Sequence, residues 1–137
     1  MKVKKVLALV LVVAIMLSVP ALAVEDRASD QISRHDIKVT PLAGQIAIKA
    51  SIFGNGPMNK LGCESIYLYW QYGSAWISDD WLLEDDYNMY STNVAAHMAN
   101  YYFDSEPGVN YMVVITMFAE NDAGRDTITR TYYVTGK

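Results

Sequence analysis

Apolar and polar residues alternate along two segments of the chain, "QIAIKASIF" at 45–53 and "SIYLYWQY" at 65–72. Residues two apart lie on the same face of a β-strand, so this period predicts strands with one buried face. The segment "GNG" at 54–56 is expected to form a turn. The predicted buried faces are Ile46, Ile48, Ala50 and Ile52 in the first strand, and Ile66, Leu68, Trp70 and Tyr72 in the second.

The strongest alternation covers "VNYMVVITMFAE", residues 109–120. The segment "NDAG" at 121–124 then supplies residues that favour tight turns, and "RDTITRTYYVT" alternates again. We therefore predict a C-terminal β-hairpin. The buried face of its first strand is expected to consist of Val109, Tyr111, Val113, Ile115, Met117 and Ala119.

Two further segments complete the pattern. "DIKVTPL" at 36–42 predicts a short strand, which Pro41 confines to a sheet edge because proline donates no hydrogen bond, and Gly44 turns the chain into the next strand. The segment Thr92–Phe103 has alanines that also suit a helix, but its three consecutive aromatic residues and the surrounding strands favour a strand. Six or seven short strands over about a hundred residues predict an all-β, antiparallel β-sandwich.

The first 23 residues combine three lysines, a long apolar run and an A-x-A ending. This arrangement is typical of a secretory signal peptide cleaved after Ala23, and Pro20 argues against the alternative of a membrane anchor. Residues 24–35 are polar without a period and predict a flexible leader. We expect a signal peptide at 1–23, a leader at 24–35 and one secreted domain at 36–137, with no membrane attachment after cleavage.

Loss of the signal peptide removes three lysines and no acid, which leaves eight Lys and Arg against 15 Asp and Glu and a formal net charge of −7. Such a surface repels nucleic-acid phosphates and anionic membranes, so we expect no nucleic-acid partner and favour neutral or cationic partners. Cys63 is the only cysteine, which excludes an intramolecular disulfide. The apolar core must therefore hold the fold.

The segment "GVNYMVVITMFAENDAG", Gly108 to Gly124, resembles the F strand and F–G turn of fibronectin type III and related immunoglobulin-like domains. The resemblance covers about a quarter of the mature chain and implies an immunoglobulin-like sandwich. Tyr111 would then be its tyrosine-corner residue, with the hydroxyl bonded to nearby backbone. Folds of this kind serve many functions, so the resemblance implies no activity.

Four pieces of the chain resemble uncharacterised small secreted proteins of clostridia-type Gram-positive bacteria. The pieces are "MNKLG" at 58–62, "SIYLY" at 65–69, Trp76, and the hairpin segment 108–124, and together they span about two thirds of the mature chain. The resemblance implies a secreted domain and brings no catalytic residue. Trp81 and the dense acids around it depart from the pattern of that group.

The segment "WISDDWLLEDDY" at 76–87 carries five carboxylates, and we interpret it as a loop. Calcium takes six to eight oxygen ligands, so the carboxylates form a candidate calcium site, although the ordered spacing of a calcium loop is missing. In the alternatives, Trp81 and Leu82 anchor the loop beneath a connection while the acids stay in water, or the loop contacts a ligand directly. The candidate calcium ligands are Asp79, Asp80, Glu84, Asp85 and Asp86.

Strand alternation also predicts an unusual outward face. The outward faces of antiparallel sheets are usually polar, but here a row of aromatic and aliphatic side chains is expected to point outward. If exposed, the row marks a binding or dimer contact, and its rings suit stacking on sugars; if the 76–87 loop or the leader covers it, it is a second small core. The row comprises Tyr67, Tyr69, Met112, Val114, Phe118 and Tyr133, with Trp76 and Trp81 at its margin.

Sequence signatures of catalysis are weak. His35 and His97 lie in unrelated contexts, no G-x-S-x-G segment exists, and His97 is interpreted as an ordinary strand histidine. With Cys63, the two histidines lack the spacing of a zinc site, and "GNG" is no dinucleotide fingerprint. We therefore expect a secreted, non-catalytic binding module without a cofactor, whose partner is a glycan, cell wall or protein surface. Two alternatives are a self-assembling domain that uses the aromatic row as a homodimer contact, and a calcium-dependent adhesive domain.

Overall fold

The computed structural model describes residues 30–137, and within them the chain is all-β with no helix. The predicted signal peptide and the leader up to residue 29 lie outside the described residues. Consequently, no described segment forms a long apolar helix of the kind that spans a membrane. The strands are β1 (Ile32–Leu42), β2 (Gln45–Tyr72), β3 (Ala75–Leu83), β4 (Tyr90–Asp104), β5 (Asn110–Asn121) and β6 (Gly124–Thr135).

Strand β2 has 28 residues and belongs to two layers. Its first part, 45–53, lies between β1 and β4, and its last part, 65–70, lies between β3 and β5. Strand β6 extends the second layer beyond β5. All pairs are antiparallel, and the layers β1-β2-β4 and β3-β2-β5-β6 are consistent with the predicted β-sandwich.

The two strands predicted at 45–53 and 65–72 are thus halves of one continuous strand. The turn predicted at 54–56 is wrong, because this segment stays within β2. The pairing of β2 with β4 shifts register between Phe53 and Met58, and its pairing with β5 shifts between Cys63 and Ser65. Irregularities of this kind bend a strand without ending it, which allows β2 to pass from one layer to the other.

The predicted alternation is confirmed in the core. The residues of the three predicted faces are buried, with three exceptions. Trp70 and Val109 are half-buried, and Tyr72 is 69% exposed. All three exceptions lie at or beside a strand end. The segment Thr92–Phe103 is a strand, as predicted, and buries alternate residues against β2. Both layers contribute to one core, whose largest fully buried aliphatic members include Ile46, Ile48, Ile52, Leu61, Ile66, Leu68, Met89, Ile115 and Met117.

Among the described strands, β1 pairs only with β2, so Pro41 lies on an edge strand as predicted. The strand begins at Ile32, and therefore 32–35 belong to the sheet and not to a flexible leader. Gln31 fixes the start of β1 by two hydrogen bonds to the β6 region. Its backbone N–H donates to Asp126 Oδ2 at 3.1 Å, and its side-chain amide donates to the Gly124 carbonyl at 3.0 Å.

The predicted C-terminal hairpin is confirmed, with Asn121 paired to Gly124 across a two-residue turn. The Asn121 side-chain oxygen accepts from the Ala123 backbone N–H at 2.9 Å. Gly124 has φ of 135°, a conformation that other residues rarely adopt. Turn chemistry and strand alternation therefore agree on the register of β5 and β6.

Most of the segment predicted as a loop, 76–87, is strand. Residues 75–83 form β3, which pairs with the last part of β2 after a tight turn at Gly73 and Ser74. The mixed sequence of acids and large apolar residues shows no strand alternation, because β3 is an edge strand and most of its residues are exposed. Only the residues after Leu83 form turns before β4 begins.

Candidate binding face

The outward side of the β3-β2-β5-β6 layer carries a continuous group of large side chains, here called the aromatic face. Its tyrosines at 67 and 69 are half-buried, whereas Trp81 is 53% and Tyr133 66% exposed. The predicted outward row is therefore accessible, and β3 extends it sideways without covering it. The aromatic face comprises Tyr67, Tyr69, Trp76, Trp81, Leu83, Met112, Val114 and Tyr133.

Strand register assembles these residues from four segments of the chain. Directly opposed residues of antiparallel strands share a face. One row across the layer is Trp81, Tyr67, Val114 and Thr131, and the next is Ser78, Tyr69, Met112 and Tyr133. Neither row contains a charged side chain, so the centre of the aromatic face is uncharged.

At one end of the aromatic face, two rings that contact each other line a depression, here called the groove. The ring centroids of Trp76 and Tyr133 lie 5.6 Å apart. Between their strands, the Asn110 amide donates to the Gln71 side-chain oxygen at 3.1 Å, and the Thr135 hydroxyl donates to the Asn110 side-chain oxygen at 2.8 Å. These residues line a cavity of about 330 Å³. The groove thus combines aromatic walls with a polar floor.

The outward side of the other layer is different. Lys38 on β1 is paired with Lys49 on β2, and Asn100 on β4 continues the same row. Among the described residues, the large exposed apolar residues on this side are Leu42, Met98 and Tyr102. This polar composition is usual for a solvated sheet, so the aromatic face is specific to one layer.

Phe118 does not belong to the aromatic face, contrary to the prediction. It is fully buried, because the Arg125 guanidinium lies 3.8 Å above the centre of its ring and Tyr90 packs beside it at 6.5 Å between centroids. Arg125 in turn is held by carboxylates of Glu84 at 2.9 Å and Glu120 at 3.0 Å. Charged residues therefore cover the only aromatic ring at that end of β5.

The five candidate calcium ligands are not gathered at one point. Asp79 and Asp80 are exposed on β3, and Asp80 accepts a hydrogen bond from the Trp81 backbone. The Glu84 carboxylate accepts two hydrogen bonds from Arg125, and these lower the pKa of the Glu84 carboxyl. Within residues 30–137, no three His, Cys, Asp or Glu side chains are placed to hold one metal ion. The candidate calcium site has no geometric basis in this part of the chain.

The remaining two candidate calcium ligands, Asp85 and Asp86, lie in the turn after β3. Asp86 accepts a hydrogen bond from the Leu83 backbone N–H at 2.7 Å, which gives it a structural role in that turn. Of the two proposed loop anchors, Leu82 packs against the core as predicted, whereas Trp81 is on the aromatic face.

A second cavity, of about 350 Å³, lies beside the groove and is here called the end pocket. Tyr111 lines both cavities, and its hydroxyl accepts a hydrogen bond from the Glu106 backbone N–H at 2.8 Å. Burial, helped by the nearby charges of Asp80, Glu106 and Asp104, raises the pKa of the Asp79 carboxyl. The end pocket is lined by Trp70, Asp79, Asp104, Ser105, Glu106, Val109 and Tyr111.

Sequence reasoning missed the end pocket. Its only local signal is the pair of acids in "FDSEPG", 103–108, at the end of β4. Asp79 is 25 residues before Asp104 in the chain, and an alternation pattern does not say which strand ends meet. The polar floor of the groove was missed for the same reason.

A polar chain runs through the interior at the other end of β4. Ser91 Oγ lies 2.8 Å from His97 Nδ1, and the Tyr101 hydroxyl lies 3.4 Å from His97 Nε2 and donates to the Asn88 carbonyl at 2.8 Å. Burial lowers the pKa of His97 and raises the pKa of the Cys63 thiol to about 11, so both are neutral at pH 7. Neither the groove nor the end pocket is lined by any of these residues.

No protein-family model matches the chain, and no curated protein matches it. Among solved structures, the crystal structure of a hypothetical protein from Pyrococcus horikoshii OT3 is similar over 77% of this chain and 93% of that chain. The sequence identity is 13% and the TM-score 0.38. A similarity at this level identifies neither a family nor an activity.

Proposed function

We propose that the protein is a secreted, non-catalytic binding module that contacts its ligand through the aromatic face. The observation that carries this proposal is the exposure of large apolar side chains on one layer, where solvated sheets are polar. Rings with hydroxyl or N–H edges, next to side-chain amides and threonines, suit a ligand that is both flat and hydroxylated. A glycan meets this description, because sugar rings stack on aromatic side chains and their hydroxyls bond to polar neighbours.

Secretion is supported by the N-terminal sequence, with its lysines, apolar run and A-x-A ending. A non-catalytic role is supported by the position of the Ser91–His97 pair, which lies away from the groove and the end pocket and directs its other ring nitrogen to Tyr101 and not to a carboxylate. The sandwich itself is proposed to be of the fibronectin type III kind. The layer composition and the bond from Glu106 to the Tyr111 hydroxyl, a tyrosine-corner contact, favour it.

Retention on insoluble polysaccharides tests the proposal. The probes are cellulose, chitin and purified peptidoglycan, and the fraction of protein that sediments with each is measured. Tyr133→Ala is expected to weaken binding about tenfold, the effect of losing a contact worth about 1.4 kcal/mol. Tyr102→Ala is the matched control, since Tyr102 is 57% exposed on the opposite layer and Tyr133 66%. If the two substitutions change binding equally, the aromatic face is not the binding site.

The aliphatic members of the face favour a second candidate function. Leu83, Met112 and Val114 offer nothing to a sugar hydroxyl, and such residues are common in contacts between protein copies. In this case the aromatic face is a homodimer contact. Light scattering over a range of protein concentrations distinguishes the two functions: binding by a monomer supports the ligand site, whereas a dimer that Val114→Lys converts to monomer supports assembly.

A further inference from the structure

The two layers end in four edge strands, which differ in how well they are protected. Among the described strands, β1 and β4 flank the first layer, and β3 and β6 flank the second. Natural proteins protect such edges against pairing with another chain by charged residues, proline or bulges. Strand β1 carries Pro41 and three charged residues, β6 carries three charged residues, and β3 carries two acids and a register shift against β2.

Residues 96–104 of β4 lack these protections. The segment reads "AHMANYYFD" and contains no lysine, arginine, proline or glycine, and its one acid is the last residue, Asp104. All nine residues pair with residues 45–53 of β2 in unbroken register, so no bulge interrupts this part of the strand. Since β4 pairs only with β2 among the described strands, the other backbone edge of 96–104 is open to a further strand.

The outward side of the same segment carries two large apolar residues on a mostly polar layer. Met98 is 64% exposed and Tyr102 57% exposed. Their opposed residues on β2 are Ser51 and Ala47, which are too small to cover them. Solvated sheets have polar residues at such positions, so the two side chains indicate a contact surface along the β4 edge. Asn100 lies midway between them and is also exposed.

A second copy of β4, antiparallel to the first, fits this edge best in one register. In a two-fold pairing, each residue opposes the residue of the other copy that lies equally far beyond the axis. With the axis at Asn100, Met98 of each copy opposes Tyr102 of the other, and the whole of 96–104 is paired. Axes one residue earlier or later would oppose Met98 to Asn100 or to Asp104. Only the axis at Asn100 therefore gives both exposed side chains a large neighbour.

The side chains opposed in this register are complementary. Directly opposed side chains stabilise an antiparallel pair, and a methionine sulfur makes favourable contacts with an aromatic ring. The two Asn100 amides each have donors and an acceptor, so they can bond to each other. Lys49 opposes Asn100 on β2, and its two copies would be three strand spacings apart, about 14 Å. This distance exceeds the Debye length of about 8 Å at physiological ionic strength, so their repulsion is largely screened.

We propose that the protein pairs with a second copy of itself along the edge of β4, through residues 96–104 and about a two-fold axis at Asn100. The first layers of the two copies then form one continuous sheet. A two-fold axis perpendicular to a sheet keeps the outward sides of both copies on the same side. Both aromatic faces, which belong to the other layer, therefore point in one direction and stay free. This contact is distinct from a homodimer contact through the aromatic face itself.

Sedimentation equilibrium of the purified protein tests the contact without any ligand. Two short strands form a small interface, so we expect a dimer with a micromolar dissociation constant, measured from about 1 µM to 1 mM protein. Asn100→Lys opposes two lysines across the axis and should raise the dissociation constant about tenfold or more, and Asn100→Asp should do the same with two acids. Thr131→Lys, at an exposed position of the β6 edge, is the matched control and should leave it unchanged.

Cysteine cross-linking tests the register. Opposed Cα atoms of an antiparallel pair are about 4.5–5.5 Å apart, within the range that a disulfide spans. Asn100→Cys should therefore form a covalent dimer in oxidised glutathione. Tyr102→Cys is the control and should not, because its two copies would be four positions apart along the strands, about 13 Å. Cys63 is buried and is present in both variants.

The outcomes separate this inference from the proposed function. A monomer at every concentration, or equal cross-linking of the two cysteine variants, overturns the inference and leaves retention on polysaccharides to decide the proposed function. That retention is measured below the dissociation constant, where pairing does not affect the Tyr102→Ala control. A dimer that Val114→Lys dissociates and Asn100→Lys does not assigns association to the aromatic face and overturns the inference. Growth beyond a dimer also overturns it, because a two-fold pairing occupies the β4 edge of both copies.

Discussion

Replacement of Arg125 by alanine is expected to destabilise the protein strongly. The guanidinium contacts the Phe118 ring at 3.8 Å and bonds with carboxylates of Glu84, Glu120 and Glu64. These groups join β6 to β5, to the bend of β2 and to the end of β3. Alanine would expose the Phe118 ring and remove the cation that three carboxylates share, of which Glu84 would keep Lys60 at 3.7 Å.

The size of the effect follows from the burial of the pair. The side chains of Arg125 and Glu84 are 23% and 24% exposed, so the ion pair is mostly shielded from water. Hydrogen bonds to charged groups contribute about 1.5–3 kcal/mol, and a cation–π contact about 0.5–1 kcal/mol. We expect Arg125→Ala to cost about 3 kcal/mol of unfolding free energy and to lower Tm by roughly 12 °C, at about 4 °C per kcal/mol for a domain of this size.

Urea unfolding at pH 7 and pH 3 measures this loss. Since the pKa of Glu84 is lowered in the folded state, its stabilisation is present above the unfolded pKa of about 4.3 and is lost as pH falls through the folded value. The difference between wild type and variant should shrink at pH 3. Arg34→Ala is the control, because Arg34 lies 4.2 Å over the Phe53 ring with no carboxylate within ion-pair distance in the described chain. Equal losses for Arg34→Ala and Arg125→Ala would refute a contribution of the carboxylates.

Three further predictions concern acid, metal and packing. Burial lowers the pKa of His35 and His97 in the folded protein, so at pH values below about 6.5, the ordinary histidine pKa, the unfolded chain binds more protons than the folded one. The free energy of unfolding should therefore fall from pH 7 to pH 5, and His97→Gln should make this pH dependence weaker in urea unfolding. Excess chelator should leave Tm unchanged relative to millimolar calcium, and a rise of several degrees with calcium would contradict the geometry of the described carboxylates. Gly62→Ala should cost about 2 kcal/mol or more in the same unfolding assay, because an added Cβ overlaps the Met89 carbonyl and the Tyr90 backbone; a loss no greater than that of an exposed alanine substitution would show that this contact relaxes freely.

Local patterns in the sequence were sufficient to predict most of the strands. Alternation has a period of two whatever a strand pairs with, so it identified the buried faces of β2 and β5 from the residues alone. The tight turn at 121–124 depends on four adjacent residues and was predicted for the same reason. The outward positions of Tyr67, Tyr69, Met112 and Tyr133 follow from the same alternation, because the opposite residues are buried.

Errors arose where a distant neighbour decides the local structure. The segment 54–64 contains turn-forming residues but stays in β2, since β4 pairs with its later part from Met58 and β5 pairs with it from Lys60. The exposed edge strand β3 has no clear alternation, because only one neighbour and little of the core constrain it. Phe118 has an outward position by period, and it is buried by Arg125 from the next strand and by Tyr90 at the start of β4.

The amino-acid sequence by itself determined which residues alternate into a core and which rings remain for an outward face. The tertiary structure decided which of these rings meet. Trp76 and Tyr133 are 57 residues apart in the chain, and the end pocket joins the ends of three strands. The physical reason is that side-chain direction is set by backbone dihedrals within a few residues, whereas strand order and register are set by the packing of the whole core.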